Sequence, residues 1–308
     1  NDYFKITFAG DGTISSIIDK ETGKELVDPQ AEYGFNQYVY MTSVHDATDL
    51  LSTESVTASS LSSQVGPVYG TMTADGCEGA TTGICDLTRG VTLYSDLPRI
   101  DIGNTIVKKP AASYATIDEE GFFTFPFEME DSFVIQHETT SGVINPEKVS
   151  SDINADNDLL YGSSLDFFTV NRWIDIGNNS DFGVVMTMSD TSLVQYGERA
   201  SYQYNKTRDI QSPYVYNWAF NNKWWTNHQK SQESTVSFHY SFYTREGKDY
   251  IEGKDDLLGQ NTNNPLIASV VTAAQPEGSL SGDSSQFLTV SADNVEIITQ
   301  KQSEMNGD

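Results

Sequence analysis

Positive charge is what this chain has least of. Its 308 residues carry 18 Lys and Arg against 44 Asp and Glu, a formal charge of −26. Polyanions are held by neutralising Lys and Arg, so this balance speaks against nucleic acid and against anionic membrane surfaces as partners. No apolar run is long enough to span a bilayer as a helix. Cysteine is almost absent: the chain has two, Cys77 and Cys85. Four scattered histidines, His45, His137, His228 and His239, offer no zinc-ligand spacing. Convincing helical periodicity is also missing, with one short charged candidate at Asp249 to Gly259. What remains, 16 Tyr, 15 Phe, 23 Gly and many Ser and Thr, is a composition for strands and turns.

Cys77 and Cys85 flank a turn containing Gly79 and Gly83, and a hairpin-tip disulfide is expected if the protein is exported. Two separate buried thiols are the plainer alternative. An acidic surface keeps a secreted or salt-exposed protein in solution, so a periplasmic or extracellular location is the expectation. The chain opens on Asn1 without an initiator Met, which reads as a processed or excised piece.

Strand signals run through most of the chain. Tyr3 to Phe8 alternates, Asp11-Gly12 is a hairpin turn and Ile14 to Asp19 is the return strand. Residues 42 to 64 read as loop with one short strand. Val65 to Ala74 and Leu87 to Tyr94 alternate about the cysteine turn. Arg99 and Asp101, two apart on a strand, share a face, where the plain reading is an exposed ion pair of small energy. Glu119 and Glu120 invite a reading as the two carboxylates of a glycosidase. Neighbours on a strand point to opposite faces, so they cannot flank one bond together. Phe123, Phe125 and Phe127 share one face and read as core. Asp152, Asn154 and Asp156 space oxygen ligands like the start of a calcium loop, but Asn157 stands where that loop needs Gly, and Ser163 where it needs Glu. A solvated polar loop is the simpler reading.

The stretch richest in aromatic and amide groups runs from Tyr214 to Gln232, YVYNWAFNNKWWTNHQKSQ. It holds three of the four tryptophans and four asparagines, with no Gly and no acidic residue. Rings that stack on a sugar beside amides that bond its hydroxyls suit carbohydrate; an all-β core needs such rings too. Tyr216, Asn222, Trp224, Trp225 and Asn227 are the candidates here. Asn171, Arg172 and Trp173 form a second candidate group, with Arg172 equally readable as half of an ion pair.

The wording of this stretch, Phe220-Asn221-Asn222-Lys223-Trp224-Trp225-Thr226-Asn227, resembles a run in the C-terminal β-domain of glycoside hydrolase family 38, the α-mannosidases. Further blocks follow in the family's order: the opening strands through Asp19-Lys20 and Glu25-Leu26, Tyr33 to Tyr38, Leu97-Pro98-Arg99 through Asn104, and Phe123-Thr124-Phe125-Pro126-Phe127. Then come Ser164 to Ile176, which resembles a single strand of the family at Trp173, and Asp190-Thr191-Ser192-Leu193-Val194-Gln195-Tyr196-Gly197, where the family usually has Pro in place of Ser192. The resemblance implies an all-β fold, an antiparallel β-supersandwich like galactose mutarotase over residues 1–271. Residues 272–308 would be a linker and the start of a truncated small β-module. It further implies that the zinc ligands and the nucleophile belong to an N-terminal catalytic domain that is the partner of this chain, so no cofactor is expected here.

Three functional classes follow. The chain is an accessory β-domain that helps form the glycan cleft of an α-mannosidase-like hydrolase, a stand-alone carbohydrate-binding protein, or an enzyme on the mutarotase-like fold. The third needs a His acid and a Glu base meeting across one sugar, and His137 and His239 have no such context.

Overall fold

Period-two patterning lays about half of the described residues out as antiparallel strands. The computed structural model describes residues 1–44, 50–77, 83–110, 117–129, 132–140, 142–178, 181–199, 209–223, 231, 233–247 and 254–266, with a few positions between 289 and 297. The first hairpin joins β1 (Phe4–Phe8) to β2 (Ile14–Asp19). At its turn Gly12 holds φ at +83°, and a Cβ there would come within 2.7 Å of Ala74 and 2.9 Å of Ala58. Both facts require glycine. Next come β3 (Gln37–Val44), β4 (Leu50–Ser55), β5 (Ser60–Val65), β6 (Tyr69–Asp75), β7 (Ile84–Tyr94), β8 (Ile100–Lys108) and β9 (Ile117–Pro126). The second half supplies β10 (Phe133–Thr139), β11 (Gly142–Ile144), β12 (Phe168–Thr169), β13 (Trp173–Asn178) and β14 (Phe182–Met188). It ends with β15 (Leu193–Tyr196), β16 (Tyr214–Asn221), β17 (Thr235–Glu246) and one helix, α1 (Lys254–Asn263).

These strands make a nine-stranded sheet, β11-β10-β13-β14-β17-β8-β7-β6-β5, and a six-stranded sheet, β12-β15-β16-β9-β3-β4, with the first hairpin apart. The expected all-β antiparallel sandwich is therefore what the chain forms. Its core lies between the two sheets. Phe123, Phe125 and Phe127, on one face as expected, meet β17: Phe123 and Phe238 rings lie 5.5 Å apart, Phe125 and Tyr240 4.8 Å, and Phe127 and Phe242 5.9 Å. At the β5–β7 end, Ile6 and Phe8 of the first hairpin, with Met72, Val91 and Leu93, line an apolar cavity of about 330 Å³.

Four local expectations are corrected. The Ser- and Thr-rich span 42–64 holds β4 and β5, not one short strand. β5 is exposed at every residue, so no apolar alternation announces it, and its ladder to β6 alone sets it. Val65 to Ala74 is not one strand, because the chain reverses at Gly66-Pro67 between β5 and β6. Ser164 to Ile176 divides between β12 and β13, which belong to different sheets. The helix lies at Lys254–Asn263 and runs beyond Gly259. Its last turn is tied to β14, through Thr187 Oγ1 to Thr262 Oγ1 at 3.0 Å and Asn263 Nδ2 to Met188 O at 3.3 Å. The proposed small module falls mostly outside the described residues.

Candidate functional site

β16 carries the first half of the aromatic stretch. It pairs with β9 from Tyr214↔Pro126 to Asn221↔Glu120, with a bulge between Trp218 and Phe220. Tyr216 and Trp218 turn to the outer face of the six-stranded sheet and form a small apolar cluster with Val39, Met41 and Phe122. The Trp218 ring lies 5.5 Å from Phe122 and 5.6 Å from Phe167. Tyr33 stands edge-on to Tyr216 at 6.4 Å.

Past the bulge, two successive residues beyond the end of β16 grip two successive acidic residues of β9. Asn222 lies against Glu119: its Oδ1 accepts from Glu119 N at 2.6 Å, and its Nδ2 donates to Glu119 Oε2 at 3.2 Å. Tyr40 Oη donates to the same carboxylate. On the opposite face, Lys223 Nζ lies 3.0 Å from Glu120 Oε1, and Trp218 Nε1 donates to Glu120 Oε2 at 3.1 Å. Glu119 and Glu120 thus point to opposite faces, as expected from strand geometry. Both are only 2% exposed, so neither lines a cleft. Burial raises the Glu120 pKa against the opposing pull of Lys223 and Arg199. Burial also lowers Arg199, against the attraction of Glu120, and Tyr33 is pushed up to about 12 by burial and then by Glu32. Chemically this is a desolvated ion-pair clamp under an aromatic layer. It fixes where the chain leaves the sheet after Lys223.

The structure separates the two sugar-facing candidate groups. Tyr216 and Asn222 are each 7% exposed and serve as packing and clamp, not as open platforms. Trp224, Trp225 and Asn227 lie outside the described residues. Asn171, Arg172 and Trp173 belong to the other sheet. Asn171 is exposed, with its N–H bound to Glu138 O at 2.9 Å. Arg172 makes the ion pair: its Nε and Nη2 lie 2.9 and 2.6 Å from the two Glu138 oxygens. Trp173 is fully buried, and its Nε1 donates to Asp256 of α1 at 3.0 Å. The helix approaches that closely because Gly259 sits over the indole; a Cβ there would lie 2.9 Å from Trp173 Cδ1. As a sugar platform, Trp173 is therefore overturned.

No disulfide joins Cys77 to Cys85. Cys77 packs towards the core, whereas Cys85 is exposed and its Sγ donates to Val107 O at 3.4 Å. The β-bulge at Ile84–Asp86 turns the second thiol away. In the Asp152 loop, Asp152 Oδ1 accepts from Asn154 N at 2.9 Å, and Asp156 pairs with Lys148 at 3.0 Å. Among the described residues no three His, Cys, Asp or Glu side chains gather as metal ligands, and no helix is long and apolar enough to cross a membrane.

The sequence reading missed the Glu120–Lys223 pair. Its only local sign is two adjacent acids at the head of the apolar strand IDEEGFFTFP.

No protein-family model matches the chain, and no curated protein matches it in sequence. Solved structures do. An alpha-mannosidase from Enterococcus faecalis V583 superimposes with a TM-score of 0.60 at 11% identity, over 86% of this chain and 31% of that one. A protein in glycosyl hydrolase family 38 from Enterococcus faecalis gives 0.59 at 12% identity, over 91% and 33%. A galactose mutarotase-like protein from Lactobacillus casei ATCC 334 gives 0.43 at 10% identity, over 80% and 98%. The chain thus has a fold similar to part of the family 38 structures, and it spans about a third of their length.

Proposed function

We propose that this chain is the non-catalytic C-terminal β-domain of an α-mannosidase-like glycoside hydrolase. In this reading it packs on a catalytic domain and helps to wall the glycan cleft. The observation that carries it is the lopsided likeness: 91% of this chain superimposes on only 33% of a family 38 protein. The clamp adds a local reason. Asn222 and Lys223 hold the sheet end rigidly through Glu119 and Glu120, so the segment bearing Trp224, Trp225 and Asn227 leaves from a fixed point. A fixed origin is what a segment needs if it is to complete a site across a domain boundary. Zinc, in this reading, is held by the catalytic domain, since the described residues here offer no ligand set for it. Export from the cytoplasm belongs to the same proposal, on the strength of the acidic surface.

The test has two arms. The purified chain with zinc should release no nitrophenol from an aryl α-mannoside, and the coding sequence preceding Asn1 should encode an α/β domain with metal ligands. Addition of that domain should restore hydrolysis, and Trp225→Ala should weaken the complex or raise its KM. Zinc-dependent turnover by this chain alone would overturn the reading, as would an upstream sequence coding for no such domain.

A further inference from the structure

The outer face of the nine-stranded sheet is divided. α1 packs over β13 and β14, where Trp173 and Val185 are fully buried. From β8 across β7 to β6 the outward residues are partly or fully open, while on β17 Ser241 and Arg245 are buried and Tyr243 is half-buried. Alternation turns Ser241 and Tyr243, Arg99 and Asp101, Thr92 and Tyr94, and Tyr69 and Thr71 to that side. Register then aligns them across the strands. Ser241 stands opposite Asp101, Asp101 opposite Thr92, and Thr92 opposite Thr71.

Beside this polar row runs an aromatic one. Tyr69 faces Tyr94 across the ladder, with ring centroids 6.4 Å apart, and is 50% exposed. The Arg99 guanidinium lies 5.0 Å above the Tyr94 ring. Asp101 holds Arg99 in place, with Nε to Oδ1 and Nη2 to Oδ2 both at 2.9 Å, and also accepts from Ser241 Oγ at 2.6 Å. On the far side of the polar row, Gly103 and Gly90 stand directly opposite each other and keep the floor low.

We propose that this shelf binds an extended, uncharged glycan lying across the strands. The half-exposed Tyr69 ring, inclined 59° to Tyr94, offers a face to sugar C–H groups. The adjoining row supplies both donors and acceptors at fixed positions, as hydroxyl recognition requires. The Arg99 cation is cancelled by Asp101, and the whole chain is strongly acidic, so the surface favours a neutral polymer over an anionic one. Four strands span about 14 Å, the length of a short oligosaccharide. The inference stands whether or not the chain serves a catalytic domain, because it concerns the sheet opposite to the Trp-rich stretch.

Isothermal titration of the full chain with linear neutral hexasaccharides, the gluco-, manno-, xylo- and chito- series, tests it, with polygalacturonate as the charged control. At least one neutral series should bind. Tyr94→Ala and Tyr69→Ala should each weaken that binding about tenfold, with unchanged circular dichroism, while Trp225→Ala should leave it intact. Binding to none of the four series would overturn the proposal, as would a preference for polygalacturonate. Loss of binding in Trp225→Ala with Tyr94→Ala unaffected would assign the glycan to the stretch after Lys223 and overturn it equally.

Discussion

Acid should destabilise this fold through His137. The imidazole is fully buried on β10, with its ring 5.7 Å from both Phe168 and Tyr196. Nδ1 lies 3.1 Å from Tyr196 Oη, and Nε2 has no hydrogen-bond partner. Desolvation holds its pKa at about 4, against an ordinary 6.5. Above pH 7 the group is neutral folded and unfolded, so it contributes no pH dependence. As pH falls below 6.5 the unfolded chain takes up a proton that the folded chain refuses, and stability drops by about 1.4 kcal/mol per unit. The loss levels off near pH 4, where the folded imidazole also protonates, at about 3 kcal/mol in all. His137→Asn removes the titration while keeping a polar atom near Tyr196. Carboxylates titrate in the same range, but they cancel when the two proteins are compared at each pH. Urea unfolding from pH 7.5 to 4 should therefore show the wild-type advantage over the variant shrinking by about 3 kcal/mol. Two stability curves that stay parallel over that range would refute the desolvated imidazole.

Three further outcomes follow from the packing. Lys223→Met should cost about 3–5 kcal/mol by leaving Glu120 buried without its cation. A carboxylate whose pKa is raised in the fold loses stability as pH rises, so the defect should be larger at pH 8 than at pH 5 in urea titrations, and adding Glu120→Gln should recover part of it. Trp173→Phe should lower stability by about 2 kcal/mol, through a cavity under α1 and a lost bond to Asp256; thermal melting as stable as wild type would contradict that packing. Gly12→Ala should cost more than about 1 kcal/mol, because φ of +83° and the approach of Ala74 both oppose a side chain. Calorimetry showing stabilisation instead would mean the turn relaxes freely.

Much of this architecture is written locally. Period-two alternation set Phe123, Phe125 and Phe127 on one face, sent Glu119 and Glu120 to opposite faces, and placed Arg99 and Asp101 together, because a strand's side-chain directions depend on nothing beyond the strand. Acidic excess and the scarcity of Lys and Arg likewise set the formal charge at −26. Partner choice over long separations was not legible. Lys223 meets Glu120 only because the bulge between Trp218 and Phe220 shifts the β16–β9 register, and Arg172 finds Glu138 only once β13 lies beside β10. The burial of Trp173 depended on a helix whose Asp256 lies 83 residues further on, and the separation of Cys77 from Cys85 on a bulge that redirects one thiol. β5 had no apolar rhythm to read, since its ladder alone holds it. Sequence alone determined the faces of the alternating strands and the sign of the charge, all properties of near neighbours. Tertiary structure alone decided which faces are covered, since burial depends on what packs opposite, and that is set by sheet order and register.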